Sequence, residues 1–122
     1  MKIVLDTNAL MVPVQLGVDI FSDLTALDFD EFFVPSGVVR ELERLASSGR
    51  CVDQIAARVA ISLLDRCKIV ETAGNVDDAI LALADRMGAA VLTNDAELKA
   101  RLRDTGVSVV YVRQRSYLVK VP

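Results

Sequence analysis

The sequence predicts an α/β fold, a three-layer α/β/α sandwich around a mostly parallel sheet. Three observations predict it. Short apolar, β-branched runs recur along the chain, as in KIVL, KIV, AVL and VSVV, and read as strands buried on both faces. Between them lie longer stretches with apolar residues at helical spacing. Strands that alternate with helices need crossover connections, which give parallel pairing with both faces covered. With 122 residues and an apolar fraction of 52%, the chain is read as one domain, residues 1–122, able to build a core without staples.

The elements follow in order. Lys2 to Leu5 reads as the first strand, and residues 18–27 as a helix with Ile20, Leu24 and Leu27 near one face. Residues 32–34 form a second strand. Pro35 and Ser36 then open a helix that carries Val39, Leu42 and Leu45 and ends near Gly49. Residues 52–64 read as a helix with Ile55, Val59 and Leu63 inside, followed by a strand from Lys68 to Val70. Residues 77–87 carry the stripe Ile80, Leu83, Ala84 and Met87, and Gly88 is a good stop. A strand at Ala90 to Leu92, a helix over 96–103 and a last strand over 107–112 complete the pattern.

Composition excludes several chemistries. The chain has no histidine, so Ser-His-Asp and Cys-His catalysis and zinc sites of the Cys/His type are ruled out. Cys51 and Cys67 form no CxxC motif and read as small hydrophobes. No apolar stretch reaches the roughly 18 residues of a membrane span. Asp6 and Asn8 interrupt the first apolar segment, unlike a signal peptide, so a cytoplasmic location without a membrane partner is expected. The net charge of −3 argues against a general nucleic-acid coat protein but not against a nuclease with clustered acids.

The acids fall where an open α/β sheet places its site, beyond the carboxyl ends of strands. LDTN and LTND are each an apolar strand followed by small polar residues and an aspartate, Asp6 and Asp95. If the two strands are close, both face one crevice. Each also has a plainer reading: Asp95 as the cap of the following helix, Asp6 as part of a turn with Asn8. Glu41 lies toward the apolar side of its helix. Asp77 and Asp78 open another helix, and Asp77 is expected to cap it while Asp78 points into the crevice. Two unit charges 4 Å apart repel by about 4 kcal/mol at an effective dielectric near 20. Such a cluster therefore calls for protonation or a cation, and carboxylates without His or Cys suit Mg²⁺ or Mn²⁺.

The ordered set LDTNAL, VVRELERL, DDAILALA and VLTNDAELKARL resembles the PIN domain, a metal-dependent nuclease family, over nearly the whole chain. The resemblance implies a PIN-like α/β/α fold and an acidic pocket for one or two Mg²⁺ or Mn²⁺ ions. It also implies endoribonuclease activity on single-stranded RNA through a metal-activated water. Position by position it gives Asp6, Glu41, Asp78 and Asp95 as catalytic acids, with Asp6, Asp78 and Asp95 as metal ligands. Thr7, Asn8, Thr93 and Asn94 match the polar groups that hold them. The tail TNDAELKARLRDTGVSVVYVRQRSYLVKVP resembles the PIN proteins that process small-subunit ribosomal RNA, especially archaeal ones. The chain departs from that branch in lacking a long basic extension and in its acidic balance.

Arg40, Arg44, Lys99, Arg113, Arg115 and Tyr117 are the expected contacts to single-stranded or structured RNA. The other large branch, the VapC-like toxins of toxin–antitoxin pairs, is the alternative, as is a catalytically weak scaffold. Expected partners are a second copy of the chain and either ribosome-assembly proteins or an antitoxin. A receiver domain is disfavoured because no later strand ends in lysine, and a haloacid dehalogenase because Thr7-Asn8 follows Asp6 where a second aspartate is needed.

Overall fold

The computed structural model describes residues 1–122 and realises the alternation of strands and helices. The chain runs β1 (Lys2–Leu5), α1 (Thr7–Leu16), α2 (Ile20–Ala26), β2 (Glu31–Pro35), α3 (Ser36–Ser48) and α4 (Cys51–Ser62). A single 3₁₀ turn (Leu63–Arg66) leads to β3 (Lys68–Val70), α5 (Val76–Met87), β4 (Ala90–Leu92), α6 (Ala96–Asp104), β5 (Val109–Arg113) and β6 (Tyr117–Val121). The strand order is β3-β2-β1-β4-β5-β6. All pairings are parallel except the last, where β6 returns against β5.

This order fixes the layers. From β1 the chain steps outward one way to β2 and β3, then crosses back over β1 to β4 and β5. Right-handed crossovers therefore put α1–α4 on one face and α5 and α6 on the other. The helix contacts agree, since α1, α3 and α4 pack on one another while α5 packs on β1, β2, β4 and α6. The core is one cluster of 32 buried apolar residues, with Ile3, Val4, Leu5, Val91 and Leu92 of the central strands at its middle. β1 and β4 are hydrogen-bonded neighbours at the point where the order reverses, and a crevice opens there beyond their carboxyl ends.

Three elements and one cysteine differ from the sequence expectation. Helix α1 was unforeseen because Pro13 lies inside it. Proline removes a hydrogen bond and normally breaks a helix. Here the helix persists, buried through Ala9, Leu10, Met11 and Val12, and stops at Gly17, whose left-handed backbone (φ 69°) lets its N–H donate to Pro13 O at 3.1 Å. In α4 the expected inner face is turned. Ala56, Ala57 and Ala60 are buried, whereas Ile55 is 50% exposed. Small side chains let α4 lie close against α1 and α3, and that contact outweighs the larger transfer energy of isoleucine. Cys51, at the start of α4, is exposed rather than packed, whereas the half-buried Cys67 packs against the core as expected. The tail is not an extension: it folds back as β6, pairing Arg113 with Tyr117 and Val109 with Val121.

Candidate active site

Asp6 is the residue where β1 stops. Its N–H still donates across the ladder to Leu92 O at 3.1 Å, so the backbone position is set by the sheet. Its carboxylate then caps α1. Oδ1 accepts the Thr7 N–H at 2.7 Å, and Oδ2 accepts Thr93 Oγ1 at 2.7 Å and Asn8 Nδ2 at 2.9 Å. The group is only 5% exposed. Burial pushes its pKa up; the bonds from Thr93 and Thr7 pull it down, and the charges of Asp77 and Glu41 push it up again.

The second turn of polar residues mirrors the first. Thr93 is fully buried, donating to Asp6 and accepting the Asp95 N–H at 3.1 Å. Asn94 is a strut: its N–H donates to Asn8 Oδ1 at 3.0 Å, and its own Oδ1 accepts the Val112 N–H from β5 at 2.9 Å. Asp95 caps α6, with Oδ1 accepting Glu97 N–H at 2.9 Å and Leu98 N–H at 3.1 Å. The capping role and a place at the crevice are thus compatible, since both cap bonds fall on one oxygen.

Asp6, Glu41, Asp77 and Asp95 line one cavity of about 260 Å³, with Thr7 and Asn8 between them. Met11, Leu45 and Val76 supply its apolar wall. A larger cavity of about 500 Å³ lies at the opposite, amino-terminal edge of the sheet, around Lys2, Ala90 and Gly106. Size does not decide between them: four acids line the cavity at the carboxyl edge, whereas the larger one has Glu31 and Asp85 together with Lys2 and Lys120.

The helix that supplies Asp77 corrects one expectation. Asn75, not Asp77, caps α5, its Oδ1 accepting the Asp78 N–H at 3.1 Å. Asp77 faces the cavity. Asp78 points away and takes Arg101 Nη2 at 2.7 Å. The run NVDD holds the missed signal, because asparagine is a favoured N-cap and an acid three residues on fits a capping box. Burial pushes the Asp77 pKa up, Asp95 adds to it, Arg101 opposes it, and Glu41 and Glu97 raise it further. Ser36 was also missed. It accepts the Thr72 N–H at 2.9 Å, tying the start of α3 to the loop before α5 and so setting Glu41 against Asp77.

The donor set suits a hard divalent cation: carboxylate oxygens, a hydroxyl, no nitrogen or sulfur. The Thr7 Oγ1 is buried at this cavity with no hydrogen-bond partner, which leaves it a lone pair to offer. The carboxylates line the cavity but no three of them stand close enough to ligate one ion directly, so an ion held here would keep waters of its own between itself and some of them.

The expected RNA contacts lie on α3, α6 and the β5–β6 hairpin. Arg40 lies 3.8 Å from Glu71, and Arg44 is exposed on α3. Lys99 sits 4.5 Å over the Tyr111 ring, and Arg113, Arg115 and Tyr117 belong to the β5–β6 hairpin.

Comparison with known proteins agrees with this geometry. Residues 3–115 match the family described as PIN like domain. Ribonuclease VapC9 of Archaeoglobus fulgidus is 35% identical over 111 residues, covering 91% of this chain and 82% of its own. Ribonuclease VapC4 of Methanocaldococcus jannaschii is 34% identical over 122 residues, covering 95% and 93%. Among solved structures, the PIN domain endonuclease Utp24 superposes with a TM-score of 0.76 at 26% identity, over 96% of this chain and 88% of that one. The crevice acids, the strand order and these matches place the chain in the PIN-like domain family.

Proposed function

We propose that the chain is a divalent-metal-dependent endoribonuclease that hydrolyses single-stranded RNA at the cavity of Asp6, Glu41, Asp77 and Asp95. The observation that carries the reading is the convergence of these four acids at the β1/β4 crevice, with Asp6 buried and locked by Thr7, Asn8 and Thr93. The names of the relatives, two ribonucleases and an endonuclease, support it.

Asp6, Asp77 and Asp95 would hold the cation, in part through its waters, with Asp77 rather than Asp78 at the cavity. A bound Mg²⁺ or Mn²⁺ supplies an activated water and offsets charge on the scissile phosphate. The Thr93 hydroxyl and the Thr7 N–H fix the Asp6 carboxylate in place and partly offset the effect of its burial. Glu41, on the facing helix, is placed to orient the attacking water and take its proton. Met11, Leu45 and Val76 limit solvent on one side and strengthen the electrostatics of the site. Arg40 and Arg44, on the helix of Glu41, are placed to steer the strand by its phosphates.

The test is cleavage of a fluorescent single-stranded RNA with Mn²⁺, Mg²⁺ or EDTA, comparing wild type with Asp6→Asn. Metal-dependent cleavage that vanishes in the variant is expected. Full activity in Asp6→Asn would overturn the assignment. Within this activity, the tail favours a role in ribosomal RNA processing. The VapC names favour the second reading, a toxin with an antitoxin partner. Growth arrest on expression in a host lacking any partner separates them. Val52 and Ile55 of α4 are 65% and 50% exposed, an apolar face suited to self-association. No single helix is long and apolar enough to cross a membrane.

A further inference from the structure

The β5–β6 turn is built against backbone preference. Ser116 N–H donates to Arg113 O at 3.2 Å, closing a tight turn over residues 113–116. Both central residues have left-handed backbones, with φ 53° at Gln114 and 59° at Arg115. Three residues, 114–116, lie between the paired Arg113 and Tyr117, and left-handed backbone at two of them favours Gly or Asn. A residue with a Cβ is strained there. The chain nonetheless places two long side chains at the tip, and neither makes a side-chain hydrogen bond that would relieve the strain. Arg113 and Arg115 are both exposed and, like most arginines of the chain, stand outside the ion pairs.

The location gives the strain a use. β5 runs parallel to β4, and β4 to β1, so the turn shares the edge that holds Asp6 and Asp95. Two strand spacings separate β5 from β1, about 10 Å. Asn94 bonds both to β5 and to Asn8, so the hairpin base is registered to the site. Tyr117 pairs with Arg113 and is 42% exposed, a free ring beside the cations.

We propose that this turn is a rigid RNA clamp: Arg115 and Arg113 grip backbone phosphates of a single strand a few nucleotides from the acid cavity, with Tyr117 stacking on a base. The proposal rests on the ribonuclease reading for the identity of the ligand. It explains why arginine stands where glycine would be more stable, since a strained residue kept at a surface tip points to function.

Two glycine substitutions separate charge from strain. Gln114→Gly and Arg115→Gly both relieve a left-handed position, so both should melt a few degrees higher, net of the extra freedom glycine gives the unfolded chain. Binding is read by anisotropy of a labelled single-stranded RNA with EDTA present, so it does not depend on cleavage. Arg115→Gly should weaken binding several-fold on any sequence and lower the slope of log K against log salt by about 0.7. Gln114→Gly should bind as wild type, and Arg115→Lys should recover most of the loss. Unchanged affinity in Arg115→Gly, or equal loss in both glycine variants, would overturn the clamp while leaving cleavage intact. Wild-type protein that binds RNA with this salt slope but never cuts it would overturn the ribonuclease reading instead.

Discussion

Adding Mn²⁺ or Mg²⁺ should raise the melting temperature of the wild type, and Asp6→Asn should abolish the rise. The acids at the crevice repel one another when ionised, and a cation between them removes that repulsion. A ligand at a hundred times its Kd stabilises the native state by about 2.7 kcal/mol. Unfolding entropy is about 2.1 cal/mol/K per residue, so 122 residues give roughly 260 cal/mol/K and a rise of about 10 °C. The pH dependence has a definite sign. Burial raises the folded pKa of Asp6 and of Asp77. In metal-free protein the stability linked to them is fully present below the ordinary carboxylate range and is lost as pH climbs through the raised values. The metal-free melting temperature therefore falls across that window, while the metal increment grows as the carboxylates lose their protons. Differential scanning fluorimetry with and without EDTA reads both. The increment is compared rather than the baseline, because Asn at position 6 would set its amide against the Asn8 amide. An equal increment in Asp6→Asn, or none in wild type at metal concentrations that support cleavage, would refute the reasoning.

Two further outcomes follow from the geometry. Asp77→Asn should cost cleavage more than the roughly 10–100-fold typical of a lost supporting partner, while Asp78→Asn should lose only a surface ion pair of about 0.5 kcal/mol and stay within about threefold of wild-type kcat. The reverse order would restore Asp78 as the acid of the site. Thr93→Val keeps shape but removes a hydroxyl that serves Asp6 and the Asp95 N–H. It should cost about 2–3 kcal/mol in urea melts and 10–100-fold in metal affinity, and Thr93→Ser should recover most of both.

The parts of this molecule that could be read from its sequence are those governed by local pattern. β1, β3 and β4 are short apolar runs and have the bounds the sequence suggested. Asp6 and Asp95 were visible as acids just past strand ends, although their proximity needed the strand order. What was not legible depended on tertiary choice. Pro13 hid α1, because nothing in the pattern says that burial will hold a helix around it. In α4 periodicity allowed either face, and close packing selected the alanines over Ile55. Asp77 and Asp78 differ by one residue, so the cap at Asn75 decided which of them faces the cavity. The hairpin was hidden because Gln114 and Arg115 are not residues that favour the left-handed backbone they adopt.

The Thr93–Asp6 bond joins residues 87 apart in sequence, between strands that sit side by side. Nearly the whole chain must therefore be synthesised before the site can exist. A ribosome making this protein holds Asp6 outside its exit tunnel long before the partner strand emerges, and domains close such distant pairings late. If the chain cuts RNA as proposed, it would in this way be silent beside the RNA machine that makes it and become competent only as its last third leaves the ribosome.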